Sequence, residues 1–187
     1  MSNADPRCSF YKRGAGQLAW DANTQELLDA QPGTQGAVPH MTQLTWDWHG
    51  SGQVVVDGQA YVLGRGDPGG FNDCLIDSLR QCLGLDTNPR KVRDDLMVAF
   101  THATDARASV TYNSYLDLDS HWRTILRSLF NHNTCGVNQE CDLELYCVVS
   151  LSRDRVNHGL VVGNTSAQHR LVIMNDSDMH FDPCLLR

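Results

Sequence analysis

The sequence predicts an α+β domain, and three observations carry that prediction. A glycine-rich loop runs straight into an amphipathic helix at "GGFNDCLIDSLRQCLG", residues 69–84. Two more helical stretches follow, and the C-terminal part then turns into short β-branched runs. Helices grouped ahead of strands, rather than alternating with them, point to a central, mostly antiparallel sheet with the helices packed on it.

Each element has its own signal. The opening "MSNA", residues 1–4, reads as cloning-derived sequence and is set apart from the fold. Residues 5–50 are broken by "GAGQ", "QPGTQGAVP" and "HGSG" and are read as an N-terminal arm of uncertain structure, with 51–187 as the main domain of a single globular unit. Within the arm, "LTWDWHG" alternates, which puts Trp46 and Trp48 on one face of a strand. "QVVVDGQAYVLG" sets two apolar runs around Asp57-Gly58, a dipeptide suited to a two-residue turn, and predicts a hairpin. From Cys74 onward, Leu75, Ile76, Leu79, Cys82 and Leu83 recur at helical spacing, and Gly84 supplies a left-handed stop. Pro89 at a first-turn position opens a second helix with Val92, Leu96 and Phe100 on one face. A third helix lies in "DSHWRTILRSLFNHN", capped by Asp119 or Ser120, with Trp122, Ile125, Leu126 and Leu129 as its buried stripe. "LELYCVVSL", "HGLVVG" and "RLVIM" are the strands, with the last two expected to form a hairpin.

Composition narrows the function. The 187 residues are 41% hydrophobic and 20% charged, enough for one domain with a real core. Net charge is -7, and Lys and Arg are scattered, so the basic stripe of a nucleic-acid binder is missing. No run approaches the roughly 18 apolar residues of a membrane span, so neither nucleic acid nor membrane is an expected partner. Seven cysteines, an odd number spread through apparent core elements, favour reduced thiols and a reducing cytosol.

The chemistry centres on Cys74. A helix N-terminus presents unpaired N–H groups and partial positive charge, which biases a cysteine there toward the thiolate. Gly69 and Gly70 let the preceding backbone turn its N–H groups toward an oxyanion. A cysteine nucleophile also needs a histidine base and a polar group to orient it. His180 offers one solution, with Asp182 on the same side of an extended chain two residues on. His158 offers another, with Asn175 or Asp176 at the end of the following strand. His180 is favoured because Phe181 and Asp182 complete a local triplet, whereas His158 depends on cross-strand register. His132, Cys135 and Cys141 are spaced H-x2-C-x5-C, without the paired knuckle of a zinc site, so this stretch is read as an irregular loop with half-buried thiols. Neither metal nor organic cofactor is expected.

"GDPGGFNDCLIDSLRQCLG" resembles an elaborated form of the Asp-Gly-Asn-Cys-Leu-Phe stretch that opens the catalytic helix of ovarian-tumour (OTU) family cysteine proteases. "LVIMNDSDMHFDP" resembles that family's closing strand with its His-aromatic-Asp/Asn triplet, and "DSHWRTIL" is similar to a helix of bacterial effector and toxin members. The resemblance spans about residues 64–187 and departs from the family in two respects: Phe71 stands three residues before the cysteine, where the family has aspartate, with Asp67 seven before, and Asp73 sits immediately before the thiol, where its carboxylate opposes thiolate formation unless it points away or caps the helix. It implies a papain-like, OTU-like cysteine protease fold. Cys74 would be nucleophile, His180 base and Asp182 orienter, with an oxyanion loop at Gly70, Asn72 and Asp73. It also implies a thiol-dependent deubiquitinase, cleaving after the C-terminal glycine of ubiquitin or a ubiquitin-like protein. For a bacterial source, it would be an effector or toxin domain delivered into host or target-cell cytoplasm. The alternatives are a papain-like peptidase or amidase using His158 and Asn175 on other substrates, and an inactive ubiquitin-binding module.

Overall fold

The computed structural model describes residues 12–13, 17–18, 41–43, 46–49, 52–66, 72–134, 141–155, 157–177 and 179–186. Strands β1 (Lys12–Arg13) and β2 (Gln17–Leu18) form a short antiparallel pair. The main sheet comprises β3 (Met41–Gln43), β4 (Trp46–His49), β5 (Gln53–Val56), β6 (Gln59–Leu63), β7 (Tyr146–Ser152), β8 (His158–Gly163), β9 (His169–Asp176) and β10 (His180–Leu186). Its spatial order is β3-β8-β7-β9-β10-β6-β5-β4. Only the β7–β9 pairing is parallel; the others described are antiparallel. The fold is therefore α+β with a mostly antiparallel sheet, as the sequence predicts.

The β5–β6 hairpin turns at Asp57 and Gly58, with φ of 48° and 82°. Positive φ at both central residues is what a type I′ turn demands. Helix α1 (Cys74–Leu83) stops at Gly84, where φ is 66° and the N–H reaches back to the carbonyls of Arg80 and Gln81. Helix α2 (Pro89–Ala99) is capped by Asn88, whose side chain accepts the Arg90 N–H at 2.9 Å. Helix α3 (Leu118–Asn131) begins earlier than Asp119 or Ser120 would have it, with Asp117 at the N-cap. The Asp117 side chain makes no cap bond; instead the Asp117 N–H donates to Nδ1 of buried His121 at 3.0 Å. The histidine thus takes the backbone N–H of the N-cap residue, the bond that a Glu or Gln side chain makes in a capping box.

The terminal strands depart from the simple meander. β8 and β9 are not partners; β7 lies between them, antiparallel to β8 and parallel to β9. Burial explains the choice. Residues 147–151 of β7 are all buried, and a strand covered on both faces belongs in the middle of a sheet, whatever its neighbours in sequence. Strands β3 and β4 also belong to this sheet, so the strand pairing continues across residue 50. The side chain of Trp48, expected to share a face with Trp46, lies outside the described residues.

β3 and β4 stand at opposite ends of the strand order, yet only residues 44 and 45 separate them in sequence. Such a link spans at most about 11 Å, so the sheet must curl until its ends approach. Trp46 secures the closure: its Nε1 donates to the His158 carbonyl at 3.0 Å and its amide to Asn157 Oδ1 at 3.3 Å. Inside the curl, Trp46, Val54, Val56 and Tyr61 pack against Val149, Leu151, Val161, Val172 and Met174. On the other face, Leu75, Ile76 and Leu79 of α1, Val92 and Leu96 of α2, and Trp122, Ile125 and Leu129 of α3 cover Val148, Leu171, Ile173 and Phe181. Each such side chain contributes about 1.5–3 kcal/mol on burial. Removing the side chain that joins the sheet's ends should be costly. Trp46→Ala is expected to lower the unfolding free energy by about 3–5 kcal/mol in urea titrations.

Candidate active site

Cys74 is the first residue of α1, and α1 packs its start against β10. Ser78 Oγ donates to the Phe181 carbonyl at 3.0 Å in a fully buried contact. Backbone hydrogen bonding from Phe181 also reaches the Cys74 thiol. The helix start therefore lies beside the residue between His180 and Asp182. Those two side chains share one side of β10, and His180 Nε2 meets Asp182 Oδ1 at 2.8 Å. With Nε2–H donated to the carboxylate, Nδ1 is the basic nitrogen of the imidazole. Among the described residues, no hydrogen bond joins Cys74 Sγ to His180. Such contacts commonly tighten only when substrate is bound.

Asp182 is itself held. Its Oδ1 also accepts the Gly66 N–H at 2.8 Å, and its Oδ2 faces Arg153 Nη2 at 3.7 Å. Gly66 is a site residue that the motif reading missed. A Cβ built there would lie 2.1 Å from the Phe181 carbonyl oxygen, 2.8 Å from Ser78 Oγ and 3.1 Å from the Cys74 carbonyl oxygen. The chain after β6 thus threads between α1 and β10 at a point with no room for a side chain. Gly64 N–H donates to the Pro183 carbonyl at 2.8 Å, and Gln81 Nε2 to the Arg65 carbonyl at 2.7 Å, fixing the same segment from both sides. The signal was present in "GRGDPGG", but the sequence reading credited Gly69 and Gly70. Those glycines, Asp67 and Phe71 lie outside the described residues, so the expected part of Gly70 in an oxyanion loop does too.

Asn72 and Asp73 are in place before the thiol. Asn72 has a left-handed φ of 57°. Asp73 occupies the N-cap of α1 without capping it; its carboxylate turns aside to Arg93, whose Nε donates to Oδ1 at 2.9 Å. The expected thiolate bias of Cys74 is not what the structure shows. The residue is only 7% exposed, and burial pushes its thiol up from the ordinary value. Backbone hydrogen bonds from Phe181, Leu75 and Cys74 itself pull in the opposite direction, and the Asp182 charge adds a further upward push. Desolvation is the largest influence and outweighs the backbone hydrogen bonds, so the thiol is raised rather than lowered at this helix start.

The alternative base is placed elsewhere. His158 opens β8, separated from β10 by β7 and β9. Three interstrand spacings amount to roughly 14 Å. Asn175 pairs with Phe181 on one side and Ser152 on the other, so it has no hairpin register with His158. The structure thus does not gather Cys74, His158 and Asn175 into one site; the expected β8–β9 hairpin gave way to burial of β7. Asp176 sits opposite His180 across β9 and β10, but its carboxylate lies 3.8 Å from Arg153 Nη1 and accepts from Ser177 Oγ. His132 Nε2 is engaged by Asp95 Oδ2 at 2.9 Å. Cys135 lies outside the described residues, and Cys141 lines an open pocket beside Arg123 and Arg127.

No protein-family model matches the chain, and no curated protein matches its sequence. Among solved structures, it is similar to the Hazara virus OTU bound to ubiquitin, at 16% identity, over 77% of this chain and 96% of that one, with a TM-score of 0.35. It is also similar to an OTU deubiquitinase from Wolbachia pipientis bound to ubiquitin, at 17% identity, over 68% of this chain and 96% of that one, with a TM-score of 0.32.

Three expected outcomes follow from the site. Alkylation of Cys74 by iodoacetamide, read by mass spectrometry of its peptide, should climb through the alkaline range with no plateau near pH 6, because a preformed ion pair is the alternative that gives one. Asp182→Asn removes a charge that holds the thiol up and should move this profile to lower pH. Gly66→Ala should separate α1 from β10, seen as a lowered melting temperature together with faster amide exchange at residues 180–182.

Proposed function

We propose that the chain is a cysteine-dependent deubiquitinase. The observation that supports the reading best is the placement of Cys74, at a helix start, against the strand that carries the 2.8 Å His180–Asp182 pair. Asp182 holds the imidazole with Nε2 as donor, and Nδ1 takes the proton from the neutral Cys74 thiol as Sγ attacks the carbonyl carbon. The C–S bond forms while the carbonyl π pair moves to oxygen, and N–H groups at the start of α1 stabilise the resulting oxyanion. His180 then passes the proton to the departing amine as the C–N bond breaks. Water, deprotonated by the same imidazole, cleaves the thioester and restores the thiol.

The substrate class comes from the resemblance to the OTU family at "FNDCLIDSLRQCLG" and "MHFDP": ubiquitin or a ubiquitin-like protein, cut after its C-terminal glycine at a peptide or isopeptide bond. The negative net charge of -7 suits a basic partner surface. Among the described residues, the free thiols of Cys74, Cys82, Cys141 and Cys184 fit a reducing compartment. A bacterial effector or toxin domain acting in a host or target-cell cytoplasm is the setting that accords with both.

The test is hydrolysis of a fluorogenic ubiquitin C-terminal amide. Cys74→Ala and His180→Ala are each expected to lose at least about a thousandfold in kcat/KM, whereas His158→Ala retains most activity. Loss with His158→Ala and retention with His180→Ala would reject the assignment. A di-ubiquitin panel reads linkage, and an electrophilic ubiquitin probe that binds without forming an adduct at Cys74 would leave only a recognition module.

A further inference from the structure

Arg93 lies on α2, and its side chain is fully buried. A guanidinium carries five N–H donors in a rigid fork, and burying it is costly unless they find acceptors. Nε and Nη2 both meet Asp73 Oδ1, at 2.9 and 2.8 Å. Nη2 also donates to the Asn72 carbonyl at 2.9 Å. Nη1 donates to the carbonyls of Ser114 at 2.9 Å and Thr111 at 3.3 Å. One side chain therefore grips the two residues that precede the thiol and, at the same time, the loop at residues 111–114 that follows α2.

The turn it grips requires support. Asn72 is a non-glycine residue at φ 57°, a conformation that costs of order 1 kcal/mol and persists only when the surroundings enforce it. Its side-chain amide donates to the Asn113 carbonyl, in the same loop that Arg93 holds. That loop carries the exposed Tyr112 and Tyr115, and Arg90 from the first turn of α2 lies over the Tyr112 ring at 4.1 Å. The α1 N-terminus gains no capping bond from this arrangement, because the Asp73 carboxylate is spent on Arg93. What the clamp fixes is the direction of the backbone at residues 72–73.

We infer that Arg93 is a positioning residue: it locks the turn before Cys74 to the 111–114 loop as one unit, so that the N–H groups at the start of α1 face the place where an oxyanion forms. The inference rests on the thiol-hydrolase reading above. Lysine cannot substitute, since a single ammonium lacks the planar fork that spans a carboxylate and three carbonyls on two segments.

The experiment compares Arg93→Lys and Asp73→Asn in the full chain. Hydrolysis of the fluorogenic ubiquitin amide, iodoacetamide labelling of Cys74, thermal unfolding and amide hydrogen exchange are measured on each. Arg93→Lys is expected to lower kcat by about 10- to 100-fold, short of the full loss of an oxyanion donor, with KM within about threefold and Cys74 labelling unchanged. Exchange at 72–74 and at 111–114 should rise together while β7 and β9 keep their protection. Asp73→Asn keeps the three carbonyl acceptors and should lose less on every measure. Wild-type kcat with unchanged exchange in Arg93→Lys would overturn the inference. So would an Asp73→Asn variant as impaired as Arg93→Lys, since the ion pair alone would then account for the effect. If Arg93→Lys does not fold, exchange in Asp73→Asn decides: a joint rise at 72–74 and 111–114 with β7 and β9 still protected supports the clamp, and a rise at 72–74 alone, or at neither segment, refutes it. A wild-type protein silent toward ubiquitin substrates would remove the deubiquitinase reading only, because the coupled exchange is measured without substrate.

Discussion

The structure depends most on the crossing of α1 over β10, where one main-chain oxygen serves as the meeting point. The Phe181 carbonyl receives Ser78 Oγ from the helix and lies against Gly66 from the segment leaving β6. Because the Phe181 side chain is buried among the helices, strand alternation turns His180 and Asp182 the other way. The same contact that seals the core thus holds the start of α1 against the strand that carries the imidazole. Gly66 makes the contact close enough, and its N–H fixes the carboxylate that orients the ring.

Around that crossing the fold has two apolar faces with separate tasks. The helical face anchors α1 through Leu75, Ile76 and Leu79. The inner face of the curled sheet, closed by Trp46, keeps β7, β9 and β10 in fixed order, so that Arg153 after β7 arrives beside Asp176 and Asp182. Residues far apart in sequence, at 66, 74, 153 and 182, are brought to one place by segments within or directly beside β6, α1, β7 and β10. Precision of this kind is what positioned acid–base chemistry needs.

Much of this was legible in the chain. Helix periodicity and terminal residues located α1 and α2, the Asp57-Gly58 turn located its hairpin, and the two-residue alternation at His180 and Asp182 foretold their contact. Those features are local, and local rules suffice for them. What the sequence hid was non-local. The insertion of β7 between β8 and β9 follows from burial on both faces, and the need for a bare glycine at 66 arises only when three segments converge. The Asp73 carboxylate looked like a charge opposing the thiolate, yet it faces a partner twenty positions on, in Arg93. The state of the thiol was misjudged for the same reason: the helix start is visible in sequence, whereas the desolvation that outweighs it is a product of packing.

The largely covered sulfur of Cys74, its thiol raised by burial, has a consequence for chemical durability. Peroxide and other mild oxidants react with exposed thiolates and progress slowly with protonated, shielded sulfur. A group kept in that state is spared the irreversible sulfinic and sulfonic stages during intervals without substrate. Nucleophilicity held in reserve in this way trades speed at rest for survival in an oxidising encounter.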